Sequence, residues 1–191
     1  NKKINLQTLN YPVIFKPNYG GNSIGVKIIN NINEAKEDLK NKTNKIIIQE
    51  FVPYNNEVGI YVYKNSIYNN YDILSIVKKN DKNIIKPGCS IKNKANCDDL
   101  TNKLTKKLKN KIINITKNIK NITIARYDIK YKSLKDLLDG KFYIIELNYI
   151  FPINYQISMN ELNPFKFIYY IILTFIIIIF ATFNDIISKF I

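Results

Sequence analysis

The sequence predicts an α+β fold with two lobes of antiparallel sheet, flanking helices and an apolar C-terminal helix. Short runs of apolar or alternating residues, typical of strands, are separated by loops rich in Gly, Asn and Pro. Stretches with apolar residues at helical spacing lie among these runs, and the residues from 165 onward are almost all apolar. With 191 residues, the chain is long enough for two small lobes that each have a core.

The composition excludes several classes of site. The net charge is +14, from 29 Lys+Arg against 15 Asp+Glu. The lysines are spread among Asn, Ile and Tyr, so we interpret the charge as a compositional bias and expect no specific nucleic-acid partner. The chain has no histidine, which excludes Ser-His-Asp and Cys-His catalysis and histidine-based metal sites within it.

The first motif is a hairpin with a glycine-rich loop. Its predicted strands are Pro12–Phe15 and Val26–Ile29, and Lys16 lies at the foot of the loop. Glycines let several backbone N–H groups point to one place, which makes an anion site. The alternative is an ordinary hairpin that happens to carry glycines, and the spacing fits neither the Walker nor the dinucleotide-binding pattern. The loop residues are Gly20, Gly21, Asn22, Ser23 and Gly25.

The middle of the chain is predicted to form a short helix, a buried strand and a pair of antiparallel strands. The predicted ranges are 33–42, 45–49, 57–63 and 72–79. The buried strand runs into Glu50, Phe51, Val52 and Pro53, and Glu57 follows after a turn. Taken alone, Glu50 and Glu57 are more often solvated acids.

A long amphipathic helix and two further strands complete the sheet. Apolar residues at three- and four-residue spacing predict the helix over 98–120, with Asp98 and Asp99 complementing its N-terminus. The strands are predicted at 122–129 and 142–147, with a short helix at 133–138 between them.

Four polar residues on these two strands form a candidate metal and phosphate site. Asp128 and Arg126 lie on one face of the first strand, and Glu146 and Asn148 lie on one face of the second, because strand side chains alternate. If the strands are neighbours, two carboxylates and an amide oxygen converge, which suits Mg²⁺. Arg126 can neutralise charge on a transferring phosphoryl group. The alternative is an Arg126–Glu146 ion pair at a sheet edge.

Taken in order, these motifs resemble the ATP-grasp superfamily, and most of all the D-alanine–D-alanine ligase-like carboxylate–amine ligases. The resemblance covers almost all of residues 11–150. It implies a two-lobed ATP-grasp fold, with a small lobe at 1–53, a large lobe with the magnesium site at 54–164, and the apolar helix at 165–191. ATP and one or two Mg²⁺ ions would be held between the lobes.

The resemblance also implies a role for each motif. The glycine hairpin and Lys16 cover the phosphates, Glu50, Phe51 and Val52 form the adenine hinge, and Glu57 binds ribose. Lys79, with Lys78 as the alternative, approaches the phosphates from the large lobe, and Arg126 acts with it in catalysis. The implied metal ligands are Asp128, Glu146 and Asn148.

The implied activity is the ATP-dependent joining of a small-molecule carboxylate to an amine, or to a thiol, through an acyl phosphate. The chain after Asn148 lacks the usual glycine of the substrate loop, so the alternative is a nucleotide-binding protein of the same fold without turnover. We expect a fragment that lacks the family's N-terminal domain, because neither that domain nor the first lysine of the family's ATP-binding lobe has a counterpart here.

The apolar segment from 165 to 191 is open to two interpretations. One is a terminal helix packed on the large sheet, and the other is a membrane-spanning helix. The nineteen residues of Phe165–Phe183, with Lys166 as their only charge, are close to the roughly 18–20 residues that a span needs. The expected location is therefore the cytoplasm, either free or attached to the inner face of a membrane. A protein whose main feature is a membrane-anchoring tail is the corresponding third hypothesis.

Overall fold

The structure is a computed structural model that describes residues 4–19, 24–40, 45–65, 70–80, 97–149, 152, 154–158 and 163–187. By backbone contacts these residues fall into two compact units, one that ends at Pro53 and one that begins at Tyr54. The assignment of the two units to the lobes of a nucleotide site stays a prediction.

The first unit is a three-stranded antiparallel sheet covered by one helix. Its strands are β1 (Val13–Pro17), β2 (Lys27–Ile29) and β3 (Ile46–Glu50), in the order β2-β1-β3. Helix α1 (Ile32–Lys40) connects β2 to β3, and a 3-10 turn at Leu6–Thr8 precedes the sheet. The predicted hairpin is therefore confirmed, because β1 and β2 pair antiparallel.

The core of the first unit forms on one face of this sheet. Val13 and Phe15 of β1, Ile29 of β2 and Ala35 of α1 are buried together. Helix α1 begins at Ile32 because the Asn31 side chain accepts hydrogen bonds from the backbone N–H groups of the next turn. The predicted helix is thus confirmed from Ile32 to Lys40, and its expected end at residue 42 lies outside the described residues.

The second unit is a five-stranded antiparallel sheet in the order β6-β5-β4-β7-β8. Its strands are β4 (Asn56–Asn65), β5 (Asn70–Lys79), β6 (Cys97–Asp99), β7 (Ile124–Tyr131) and β8 (Tyr143–Asn148). Every pairing is antiparallel, as the sequence predicts.

One face of the large sheet packs on α2 (Lys106–Lys117) and α3 (Leu134–Leu138). Alternate residues of the central strands β4 and β7 point to these helices and are buried with Leu108, Ile112 and Leu137. Because strand side chains alternate, the remaining residues of β4 and β7 point to the opposite face of the sheet, which carries the polar residues. We call it the site face.

The predicted helix over residues 98–120 is wrong in its first third. Cys97–Asp99 pairs with the end of β5 as an edge strand, a 3-10 turn spans Thr101–Lys103, and α2 begins only at Lys106. The cap of α2 is Thr105, whose hydroxyl accepts from the backbone N–H of Leu108 at 3.2 Å. Asp98 and Asp99 therefore do not lie at a helix N-terminus.

The last described elements lie on the site face. A 3-10 helix at Tyr155–Ser158 precedes α4 (Pro164–Ile187). Thr174 of α4 is buried and accepts a hydrogen bond from Asn154 at 3.1 Å. In the described part of the chain, no helix combines the length and the apolar character that crossing a membrane requires.

Candidate functional site

The strand register brings the predicted metal ligands together on the site face. Across β7 and β8, Asp128 is opposite Glu146 and Arg126 is opposite Asn148. Directly opposite residues of an antiparallel pair have Cβ atoms about 5 Å apart. A bulge at the next position of β8 shifts the register by one residue, so the alignment of these two pairs is local to the site.

A compact group of charges surrounds Asp128. Arg126 donates from Nε to Asp128 Oδ1 at 2.8 Å and from Nη2 to Oδ2 at 3.3 Å. Lys79 Nζ lies 3.5 Å from Asp128 Oδ2 and donates a hydrogen bond to Glu57 Oε1. The group contains two buried acids and two cations, so its charge is balanced.

The acids keep both cations charged. Burial by itself lowers the pKa of Lys79, but Asp128 and Glu57 together raise it above its ordinary value. The pKa of Arg126 is raised in the same way, since Asp128 outweighs the effect of burial. The arginine pairs with Asp128 on its own strand, and Glu146 of the neighbouring strand also raises its pKa.

The side chains on β8 have the chemistry of a divalent-cation site. Glu146 is exposed, and Asn148 is half-buried with an amide Nδ2 that has no hydrogen-bond partner in the described part of the chain. The Asn148 Oδ1 atom and the carboxylate oxygens are the type of ligand that Mg²⁺ prefers, whereas Nδ2 is a hydrogen-bond donor and cannot bind a cation. Among the described residues, no three Asp, Glu, Cys or His side chains form a metal cluster. The predicted ligand set of two acids and one amide stays a prediction.

Sequence reasoning missed Tyr155, which covers the charged group. Its ring centroid lies 4.1 Å from Arg126 Cζ and 4.8 Å from Lys79 Nζ. Its hydroxyl donates to Asp128 Oδ2 at 3.4 Å. One signal pointed to such a contact: Gly59 interrupts the interior of β4, and a glycine there often marks the close approach of another group.

The first unit holds the predicted phosphate-loop and hinge residues. Lys16 is opposite Ile47, whereas Glu50 is opposite Val13, so Lys16 and Glu50 lie on opposite faces of the sheet. Gln49, which sequence reasoning did not select, shares the face of Lys16. Phe51 and Val52 follow the end of β3 and are half-buried.

Part of the predicted glycine loop is described. Gly25 has φ +77°, and a Cβ added there would lie 2.8 Å from Pro17 Cγ, so the turn requires glycine. The other loop residues lie outside the described part of the chain: Gly20, Gly21, Asn22 and Ser23.

Comparison with known proteins gives one family match. The family model described as the D-ala D-ala ligase C-terminus matches residues 2–161. A D-alanine–D-alanine ligase of Petrotoga mobilis is 35% identical over 83 residues, which cover 41% of this chain and 28% of that protein.

Solved structures share the fold at lower identity. The N5-carboxyaminoimidazole synthetase of Staphylococcus aureus, complexed with ADP, has a TM-score of 0.53 and 21% identity, and the match covers 79% of this chain and 37% of that one. The biotin carboxylase domain of the Hydrogenobacter thermophilus 2-oxoglutarate carboxylase has a TM-score of 0.52 and 16% identity, with coverages of 84% and 36%. This chain thus spans about a third of these proteins, and at such identities the likeness concerns the fold alone.

Proposed function

Because the chain belongs to the family of D-alanine–D-alanine ligase C-terminal domains and has the ATP-grasp fold, we propose that it is the nucleotide-binding part of an ATP- and Mg²⁺-dependent ligase. The reaction joins a small-molecule carboxylate to an amine, or to a thiol, through an acyl phosphate. In this proposal the predicted lobe 1–53 contributes phosphate and adenine contacts, and the predicted lobe 54–164 contributes the metal ligands. The expected location of the enzyme is the cytoplasm.

The observation that carries this proposal is the register of β7 and β8. It sets Asp128 opposite Glu146 and Arg126 opposite Asn148, on the face away from the apolar core. Two neighbouring strands with a purely structural role have no need of two acids and a guanidinium in adjacent cross-strand pairs. The same residues suit the handling of a metal-bound triphosphate.

In this proposal Asp128, Glu146 and Asn148 hold the metal. When bound, Mg²⁺ supplies positive charge that neutralises phosphate oxygens. The ion pairs of Asp128 with Arg126 and Lys79 fix the direction of its carboxylate oxygens. No proton-transferring histidine is needed, because phosphoryl transfer depends mainly on positioning and charge neutralisation.

Arg126 and Lys79 are the proposed catalytic cations. Both side chains are largely buried. Lys79 pairs with Glu57 of the neighbouring strand β4, and Arg126 pairs with Asp128 of its own strand β7. A cation in a buried setting interacts with a developing oxyanion far more strongly than it would in water. Arg126 offers a planar set of N–H donors that suits phosphoryl oxygens, and Lys79 adds a point charge.

The nucleotide contacts follow the order of the motifs. Lys16 and the glycine loop cover the phosphates, Glu50, Phe51 and Val52 contact the adenine, and Glu57 binds the ribose. The ion pair between Glu57 and Lys79 links the ribose contact to the catalytic cation. Gln49 is a further candidate for a nucleotide contact, because it shares the face of Lys16.

Magnesium-dependent nucleotide binding tests the proposed metal site. We expect Asp128→Asn and Glu146→Gln to weaken binding of MgADP to the full-length protein by about 10-fold or more in calorimetric titration, because each removes a charged ligand. Asp139→Asn is the matched control, since Asp139 is an acid of the same unit that pairs with surface lysines. Unchanged affinity in both site variants would contradict the proposal.

Turnover separates the ligase from the alternative without catalysis. With a panel of amino acids as carboxylate and amine substrates, we expect phosphate release from ATP that depends on the added substrate. We also expect Arg126→Lys to slow release by about 100-fold, because a lysine cannot reproduce the guanidinium geometry. Tight nucleotide binding without release for any substrate would favour the non-catalytic alternative.

A further inference from the structure

Tyr155 is fixed by a buried polar network. Its neighbours Asn154 and Gln156 are 1% and 4% exposed. Ser75 Oγ donates to Asn154 Oδ1 at 2.9 Å, and Gln156 Nε2 donates to Asp99 Oδ2 at 2.7 Å. The 3-10 helix that carries Tyr155 is thus hydrogen-bonded to β5 and to β6, which holds the ring in one position above the sheet.

Gly59 makes room for the ring. It lies between Val77 of β5 and Asp128 of β7 in the cross-strand register. A Cβ added to Gly59 would lie 2.6 Å from Tyr155 Cδ2 and 3.3 Å from Arg126 Cδ. Any other residue at this position of β4 would displace the ring, the arginine or both.

The ring contacts both proposed catalytic cations. Arg126 Cζ and Lys79 Nζ, at 4.1 Å and 4.8 Å from the ring centroid, are within the distance at which an aromatic ring attracts a cation. Two like charges held on one acid repel each other, and the ring offsets part of this repulsion. The Tyr155 hydroxyl meets the same acid, Asp128.

We propose that Tyr155 is a positioning residue that orients Arg126 and Lys79 as a joint receptor for the oxygens of a transferring phosphoryl group. This inference rests on the proposed function and extends it to a residue outside the strand motifs. Tyr155 acts through the two cations. The aromatic ring supplies most of the effect, and the hydroxyl supplies less, because its 3.4 Å contact with Asp128 is long.

The first test reads the orientation of Arg126 directly. Arg126 is the only arginine among residues 1–191, and the Nε–Hε resonance that disappears in Arg126→Lys identifies it in ¹⁵N-correlated NMR spectra of the full-length protein. We expect Tyr155→Leu and Gly59→Ala to shift this resonance and to speed its exchange with water. Tyr155→Phe should leave the resonance close to its original position, and Tyr143→Leu, at an exposed tyrosine of β8, is the matched control.

The second test reads the kinetic consequence in the full-length protein with MgATP. A misplaced cation impairs the transition state more than nucleotide binding, so we expect kcat for phosphate release to fall by about 100-fold in Tyr155→Leu. KM for ATP should change by less than about threefold, and Tyr155→Phe should keep most of kcat. A merely structural role would lower thermal stability without this separation of kcat from KM.

The outcomes distinguish the two claims. An unchanged Arg126 resonance in both Tyr155→Leu and Gly59→Ala would overturn the inference, and so would equal kcat in Tyr155→Leu and the wild type. Gly59→Ala keeps the Tyr155 side chain, so the Arg126 resonance of this variant tests the inference even if Tyr155→Leu does not fold. Disturbance of the resonance in a protein that binds no MgADP would overturn the proposed function and leave the orienting contact in place.

Discussion

At the scale of single residues, Asp128 is the centre of the site. It is 4% exposed, and Arg126, Lys79 and Tyr155 all contact its carboxylate. The sequence could predict that Arg126 and Asp128 share a face, because a strand has a period of two residues. It could not predict Lys79 or Tyr155 as their contacts, since these depend on strand register and on the return of the chain after β8.

Tyr61 is a buried residue whose hydroxyl costs stability. It is 1% exposed, and its Oη has no hydrogen-bond partner in the described part of the chain. An unpartnered buried hydroxyl costs about 1–3 kcal/mol. We therefore expect Tyr61→Phe to raise the free energy of unfolding at pH 7 by about 1 kcal/mol in urea titrations. Tyr143→Phe, at an exposed position, should leave it unchanged, and destabilisation by Tyr61→Phe would contradict this reading.

The buried Tyr61 side chain is also expected to lower the stability of the protein at alkaline pH. Burial raises its pKa from 10.0 to about 12, so the unfolded chain releases this proton at lower pH than the folded chain. The contribution of Tyr61 is therefore complete below pH 10.0 and is lost as the pH rises to about 12, by about 2–3 kcal/mol. Between pH 10 and pH 12, the free energy of unfolding should fall less steeply with pH for Tyr61→Phe than for the wild type. An equal pH dependence of the two proteins would contradict the assignment.

At the scale of elements, the turn of the first hairpin depends on Gly25. Its left-handed backbone costs about 1–2 kcal/mol for an alanine, and the added Cβ would also meet Pro17. Gly140 has a similar φ of +75°, but its nearest neighbour would be an ordinary 3.6 Å away. We expect Gly25→Ala to destabilise its surroundings more than Gly140→Ala, as measured by native-state hydrogen exchange of β1 and α3 amides. An equal loss of local stability in the two variants would show that the contact with Pro17 does not contribute to the effect.

The start of α2 depends on Thr105. Its hydroxyl accepts from Leu108 N and donates to Leu138 O at 2.6 Å, so it caps α2 and ties it to the end of α3. Thr105→Ala should lower the free energy of unfolding by about 1–2 kcal/mol, whereas Thr105→Ser should cost far less because it keeps both bonds. An alanine variant as stable as the wild type would show that the cap is dispensable.

The same element marks a limit of reading helices from spacing. Leu100, Leu104 and Leu108 repeat every four residues, which favours a helix from Asp98 onward. The structure uses Leu100 in the core from a non-helical segment, because pairing with β5 satisfies the backbone groups of residues 97–99. Strand pairing between distant segments overrides local periodicity here, and no local pattern reveals it.

At the scale of the whole chain, the order of the motifs carried more information than any one of them. The glycine hairpin, the acids after β3, the Arg-x-Asp strand and the Glu-x-Asn strand each have an ordinary structural explanation. Taken together in their order along the chain, they indicated the fold that this chain shares with the matched family and the solved structures. The alternation of side chains on β7 and β8 then fixed which residues face the site.

The central claim is that the metal of a bound nucleotide rests on Asp128, Glu146 and Asn148, next to the only arginine of the chain. Mn²⁺, which accepts the same oxygen ligands as Mg²⁺, makes this measurable because a paramagnetic ion broadens the resonances of nearby nuclei. We predict that MnADP broadens the Arg126 Nε–Hε resonance, that MgADP does not, and that Glu146→Gln weakens the effect. A sharp Arg126 resonance in protein saturated with MnADP would contradict the account.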